Sequence, residues 1–195
     1  DKHCIQCDGI DFLRADQMQV VGVHNLLNLQ AAAAMAMLIG IDKQPIVKAA
    51  GEFTGLPHRC QKVSDKHGVL WINDSKATNV GATIAAVSGL RPTVSGQLIL
   101  LAGGDSKQAD LHPLKECLSR DVDRMYLFGK DASLLGELNA DAEIVSDLES
   151  AVHKAADVAQ KGDAVLLSPA CASLDMFRNY NHRGQHFIDV VEALA

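Results

Sequence analysis

A chain of 195 residues and 20.8 kDa, 48% of them hydrophobic, can bury one sizeable core, or one full domain plus a piece of another. Its net charge of −6 and pI near 5.7 offer no basic field for nucleic acid, and no run approaches the ~20 apolar residues that span a bilayer, so no membrane association is expected and small molecules are the expected partners. The N-terminus Asp1-Lys2-His3-Cys4 has neither an initiator Met nor a charged-then-apolar signal pattern, and the chain reads as part of a longer cytoplasmic protein.

Residues 1–22 are short alternating pieces such as Ile10-Asp11-Phe12-Leu13, which predict edge strands or a hairpin. The five cysteines, Cys4, Cys7, Cys60, Cys117 and Cys171, are odd in number and scattered, which favours reduced thiols. Cys4 and Cys7 form a C-x-x-C beside His3, but no second ligand pair follows at zinc spacing and no metal site is assigned. From Asn25 to Ile39 strong helix formers dominate and the pattern is apolar around most of the circumference, which predicts a helix buried on more than one side and stopped at Gly40. A second helix is expected from Pro45 to near Gly51. Gly55 and Pro57 then break the pattern, and a boundary is placed between residues 1–56 and 57–195.

Beyond it strand and helix alternate, the signature of an α/β fold with a mostly parallel sheet covered by helices on both faces. Strands are expected at Gln61–Ser64 and Val69–Asn73, paired through a turn at Lys66-His67-Gly68, then at Leu98–Ala102, Met125–Phe128, Glu143–Val145 and Ala164–Leu167. Helices are expected at Val80–Leu90, near 111–119, 131–138 and 147–160, and from Gly184 to Leu194. Ligands of such sheets sit at the carboxyl ends of strands, and three polar clusters fall there, at 73–79, 103–107 and 168–175.

In the first cluster Asp74, Lys76 and Thr78 alternate along what reads as extended chain, presenting an acceptor, a cation and a hydroxyl to one ligand. Thr78 or Asn79 can instead cap the helix that begins near Val80. Gly103-Gly104-Asp105-Ser106-Lys107 suits an anion through exposed backbone amides and a lysine, although glycines after a buried strand are equally turn residues. In Ser168–Asp175, Ser173 is placed to donate through its hydroxyl and local amides. A serine nucleophile is not supported, since the neighbourhood is not G-x-S-x-G even with His182 and His186 downstream, and Cys171 reads as a packed small residue. Asn25 and Asn28, next to His24, open the alanine-rich helix, where capping by Asn25 and exposure of Asn28 is the plain account. Arg59 offers a planar guanidinium suited to oxyanions, or to a surface salt bridge.

His24-Asn25 with Asn28, Gly55-Leu56-Pro57-His58-Arg59 and Asn73-Asp74-Ser75-Lys76-Ala77-Thr78-Asn79, in this order and spacing, resemble the Mur ligase family of ATP-dependent, peptide-building enzymes of bacterial cell-wall synthesis. Gly103–Lys107, Leu167–Phe177, Arg183-Gly184 and Phe187 resemble the branch that adds D-glutamate. The resemblance implies a Rossmann-like C-terminal domain preceded by a fragment of the central ATPase domain. It implies a cytoplasmic bacterial ligase, monomeric, that phosphorylates the carboxylate of UDP-N-acetylmuramoyl-L-alanine with ATP and passes the acyl group to D-glutamate, Mg2+ offsetting phosphate charge. Asn25 and Asn28 would meet adenine, Arg59 the phosphates and Asp74 the ribose. Lys76, Thr78, Lys107, Ser173, Leu174 and Tyr180 would line the D-glutamate side, with Lys76 and Arg59 catalytic. Tyr180 stands where the family pattern leads one to expect phenylalanine. No G-x-x-x-x-G-K-[ST] occurs in the chain, and the magnesium ligands are expected upstream of Asp1, so this portion alone is expected to be inactive. A folylpolyglutamate synthase-like ligase, or a non-catalytic Rossmann-like binding module, is the alternative.

Overall fold

A computed structural model of the chain describes residues 4–7, 10–14, 17–20 and 22–194. His3 lies outside them, as do the side chains of Cys7 and His24, so the C-x-x-C reading is not addressed. Strands β1 (Cys4–Cys7) and β2 (Ile10–Arg14) pair antiparallel, as the alternation predicts. Helix α1 (Val23–Leu38) follows Gly22, and the chain leaves it through Gly40 at φ +87°, a backbone conformation that glycine adopts without strain. Helix α2 (Lys43–Glu52) begins two residues before Pro45, which sits in its first turn, where a missing N–H costs nothing. Ile5, Leu13 and Ala50 form a small core under Leu26, Leu29 and Val47. The expectation that α1 is buried on more than one side is not met within this chain: Leu27, Met35, Leu38 and Ile39 on or just after it are exposed, while Ala33 is buried. No helix among the described residues is long and apolar enough to cross a membrane.

The larger unit is a six-stranded sheet of β3 (Gln61–Ser64), β4 (Leu70–Asn73), β5 (Leu98–Gly103), β6 (Arg124–Phe128), β7 (Ala142–Ile144) and β8 (Ala164–Leu167). The spatial order is β3-β4-β8-β5-β6-β7, with only the edge strand β3 antiparallel. Side chains alternate across the sheet with period two. Leu98, Leu100 and Ala102 therefore join one core layer with α3 (Val80–Leu90), α4 (Leu114–Asp121) and α5 (Ala132–Gly136). Ile99 and Leu101 join the other, under α6 (Leu148–Val158) and α7 (Tyr180–Ala193). Trp71, the one tryptophan, is buried in this second layer against Phe187.

Helix α3 has the expected bounds because Asn79 caps it, its Oδ1 accepting from Ala82 N at 2.9 Å, which decides between the two capping candidates. Helix α7 starts four residues before the expected Gly184, because Asn179 accepts from His182 N at 2.9 Å and opens the first turn earlier. The last strand, β8, inserts between β4 and β5. Asp74 N donates to Leu167 O and Ser168 N to Leu101 O, so the carboxyl ends of β4, β8 and β5 lie side by side, and the three polar clusters with them.

Candidate functional site

Past β4 the chain does not continue extended. Ala77 N donates to Asp74 O at 2.9 Å, closing a turn over 74–77, and Thr78 N bonds back to Lys76 O. The expected alternation of Asp74, Lys76 and Thr78 along a strand is corrected accordingly: the turn brings Asp74 and Lys76 into one cleft and leaves Thr78 exposed outside it. Asn73 anchors this turn from below, its Oδ1 accepting from Ser75 N at 3.1 Å and its Nδ2 donating to Gly184 O at 3.1 Å.

The cleft, about 160 Å³, is walled by Asn25 and Asn28 of α1, by Arg59 and Cys60, and by Asp74 and Lys76, over a floor of alanines on and before α3. An adjoining recess of about 290 Å³ shares Asn25, Asn28 and Arg59 but is otherwise mostly apolar, with Val20, Leu29, Ala32, Phe53 and Leu56. Asn25 is not the cap of α1, since Gly22 precedes the helix and caps it with no side-chain bond; Asn28 is exposed, as the plain account has it, and both asparagines line these cavities. Arg59 has no ion-pair partner among the described residues, against the surface salt-bridge account, and its charge acts on Asp74.

Asp74 is buried, with Oδ1 accepting from Cys60 N at 3.1 Å and Oδ2 from the Ser168 hydroxyl at 2.9 Å. Burial pushes its carboxyl up to about 6, opposed by these hydrogen bonds and by the Arg59 charge. The Lys76 ammonium lies 3.9 Å from the centroid of the Tyr180 ring, a cation–π contact that holds it without neutralising it.

The remaining expected residues do not line this cleft. Lys107, exposed, and Ser173, buried, lie on two loops joined by a reciprocal bridge in which Asp105 N donates to Ala172 O and Ala172 N to Asp105 O. The expectation of exposed amides at 103–107 is overturned, because every one is engaged within the protein. Gly103 N bonds Pro169 O, Gly104 N bonds Phe128 O, Ser106 N bonds the Asp131 carboxylate, and Lys107 N bonds Asp105 Oδ1. By contrast, the amides of Ser173, Leu174 and Asp175 and the Ser173 hydroxyl have no intramolecular partner among the described residues. Leu174 is exposed beside them. His182 and His186 pack on Phe177 and form no hydrogen bond to Ser173, so no nucleophilic serine is assembled. Cys171 is fully buried and its thiol is pushed up to about 12, as fits a packed residue.

Sequence reasoning missed His58, whose Nδ1 lies 3.0 Å from Asn73 Nδ2 and whose ring meets Tyr180 edge-on, and Ser168 as the partner of Asp74. Both depend on contacts between residues distant in sequence, and no local pattern signals them.

A family model described as the Mur ligase, glutamate ligase domain matches residues 58–171. The chain is 54% identical over 187 residues to the UDP-N-acetylmuramoylalanine–D-glutamate ligase of Idiomarina loihiensis, covering 96% of this chain and 40% of that protein. The enzyme of the same name from Pseudomonas aeruginosa is 46% identical over 186 residues, covering 94% of this chain and 42% of its own length. The chain thus spans about two fifths of these curated relatives. Among solved structures, a bifunctional folylpolyglutamate synthase/dihydrofolate synthase from Yersinia pestis, complexed with AMPPNP and Mn, superposes with TM-score 0.65 at 23% identity over 96% of this chain and 42% of its own. A UDP-N-acetylmuramate-alanine ligase from Thermotoga maritima does so with TM-score 0.63 at 16% identity, over 90% and 39%. At these identities the structural likeness establishes the fold alone. The matched family model spans more than half of the chain, and the chain belongs to the Mur ligase family.

Proposed function

We propose that this chain contributes one wall of the nucleotide site and the amino-acid side of a cytoplasmic, monomeric ligase that joins D-glutamate to UDP-N-acetylmuramoyl-L-alanine at the expense of ATP. The carrying observation is the cleft in which Asn25 and Asn28, Arg59, Asp74 and Lys76 converge from separate elements. The apolar recess suits a purine ring, whose edge needs amides such as those of Asn25 and Asn28. Arg59 meets the phosphates bidentately, and the Asp74 carboxylate accepts from ribose hydroxyls.

ATP phosphorylates the substrate carboxylate, releasing ADP. The D-glutamate amine then attacks the acyl carbonyl, the C–O bond to phosphate breaks, and orthophosphate leaves. Lys76 and Arg59 offset the negative charge that builds up in these steps. The two carboxylates of D-glutamate need cations and free donors, which Lys76, Thr78, Lys107, the Ser173 hydroxyl and the 173–175 amides offer, with Leu174 and Tyr180 as apolar walls. Magnesium would offset the phosphate charge in these steps, held by ligands expected upstream of Asp1 together with the phosphates themselves. The fold is shared with folylpolyglutamate synthase, but the relatives of higher identity carry the D-glutamate name, which favours the present reading.

Titration of the 15N-labelled chain, followed by amide NMR shifts, tests this. D-glutamate is expected to move the amides of Lys76, Lys107 and Ser173–Asp175, with L-glutamate weaker, and ADP those of Asn25, Asn28 and Arg59. Shifts with neither ligand, or D- and L-glutamate acting alike at scattered positions, would remove the assignment.

A further inference from the structure

Arg183 is the largest fully buried side chain of the molecule's described residues, at 0% exposure, and no carboxylate lies within ion-pairing distance of it among them. Its partners are hydroxyl and carbonyl oxygens. Nε donates to Ser75 Oγ at 3.0 Å and Nη2 to Ser75 O at 2.9 Å. Nη1 donates to Cys171 O at 3.2 Å and to Gly103 O at 3.4 Å. Ser75 Oγ in turn donates to Tyr180 O at 2.8 Å, closing the set on the first turn of α7.

These oxygens belong to the segments that follow β4, end β5 and follow β8. Ser75 stands between Asp74 and Lys76, Gly103 leads into the loop of Lys107, and Cys171 lies two residues before Ser173. Desolvation lowers the guanidinium to about 10, so it stays cationic at neutral pH. A buried unpaired cation is costly, and an apolar side chain of similar volume would fill the space at lower cost. What an apolar side chain cannot do is hold three loops by directed donors in one plane.

We propose that Arg183 is a positioning residue for the amino-acid side of the site: one guanidinium fixes the loops bearing Lys76, Lys107 and Ser173, together with the first turn of α7 bearing Tyr180, in mutual register without touching the ligand. This rests on the D-glutamate reading above. The nucleotide side has further anchors that Arg183 does not supply: Asp74 also accepts from Ser168 Oγ and Cys60 N, and Asn25 and Asn28 sit on α1.

The test compares this chain with its Arg183→Lys, Arg183→Met and Ser75→Ala variants, measuring dissociation constants for D-glutamate and ADP by amide NMR titration, with Trp71 fluorescence reporting folding. D-glutamate affinity is expected to fall about tenfold or more in both Arg183 variants, and less in Ser75→Ala, while ADP affinity stays within about twofold. A lysine supplies a point charge and cannot span the three loops, so Arg183→Lys is not expected to restore binding. Equal losses for both ligands, or no loss of D-glutamate binding in folded variants, would overturn the proposal. If Arg183→Met does not fold, Arg183→Lys and Ser75→Ala give the same split or its absence. Failure of the unmodified chain to bind D-glutamate would remove the reading on which the proposal rests, whereas normal binding by chain and variants alike would remove the proposal alone.

Discussion

Asp74 combines a buried carboxyl, internal donors from Cys60 and Ser168 and a place in the wall of the cleft. Its raised value of about 6 means that the folded chain holds the proton more tightly than the unfolded chain. The contribution of this group to stability is therefore most favourable below the ordinary aspartate range and is lost as pH rises toward 6. Exchange for the neutral isostere in Asp74→Asn removes that dependence. The stability of Asp74→Asn relative to the unmodified chain is expected to improve by on the order of 2 kcal/mol between pH 4 and pH 7.5, read from urea unfolding by Trp71 fluorescence. A constant difference across that range would show that Asp74 does not titrate this way. The residue type and its nearness to Lys76 are legible in the sequence; its burial is not, because the Ser168 hydroxyl that covers it arrives from 94 residues away.

Helix α7 delivers Tyr180 and Arg183 to the site within its first turn, so its start matters more than its length. Asn179 sets that start through one side-chain bond to His182 N. Asn179→Ala is expected to cost about 1 kcal/mol of unfolding free energy, measured by urea denaturation; a loss of a few tenths or less would show that Tyr180 and Arg183 are held by their tertiary contacts rather than by the cap. The sequence reading begins this helix at Gly184 because Tyr180–Arg183 carry no apolar periodicity: the buried side chain among them is an arginine. Where apolar runs and caps agree, as at α3 and β8, expected and observed bounds coincide.

At the scale of the whole molecule the sheet and its two core layers lie between residues 61 and 194, whereas the preceding segment has only a small core and many exposed apolar side chains. The division into 1–56 and 57–195 is a proposal that limited proteolysis tests. Cleavage is expected first in the exposed stretch Glu52–Thr54 or at Leu56, leaving a product that begins near residue 57 and retains the cooperative Trp71 unfolding transition. First cleavage within the sheet unit, or loss of the transition in the product, would refute the division.

Hydrophobic runs, the glycines that end strands and the polar side chains at strand ends determine by themselves that the chain is α/β, where most of its elements lie and which polar clusters stand at strand ends, because these depend on local periodicity and turn conformation. Three things were decided only by tertiary structure. The insertion of β8 between β4 and β5 juxtaposes clusters that are about 65 to 95 residues apart in the chain. The turn after β4 aims Asp74 and Lys76 into a cleft shared with α1. Of the two loops read as donors, 103–107 has its amides engaged within the protein and 173–175 keeps them unpaired, since a backbone N–H is free for a ligand only where folding has not already given it an acceptor.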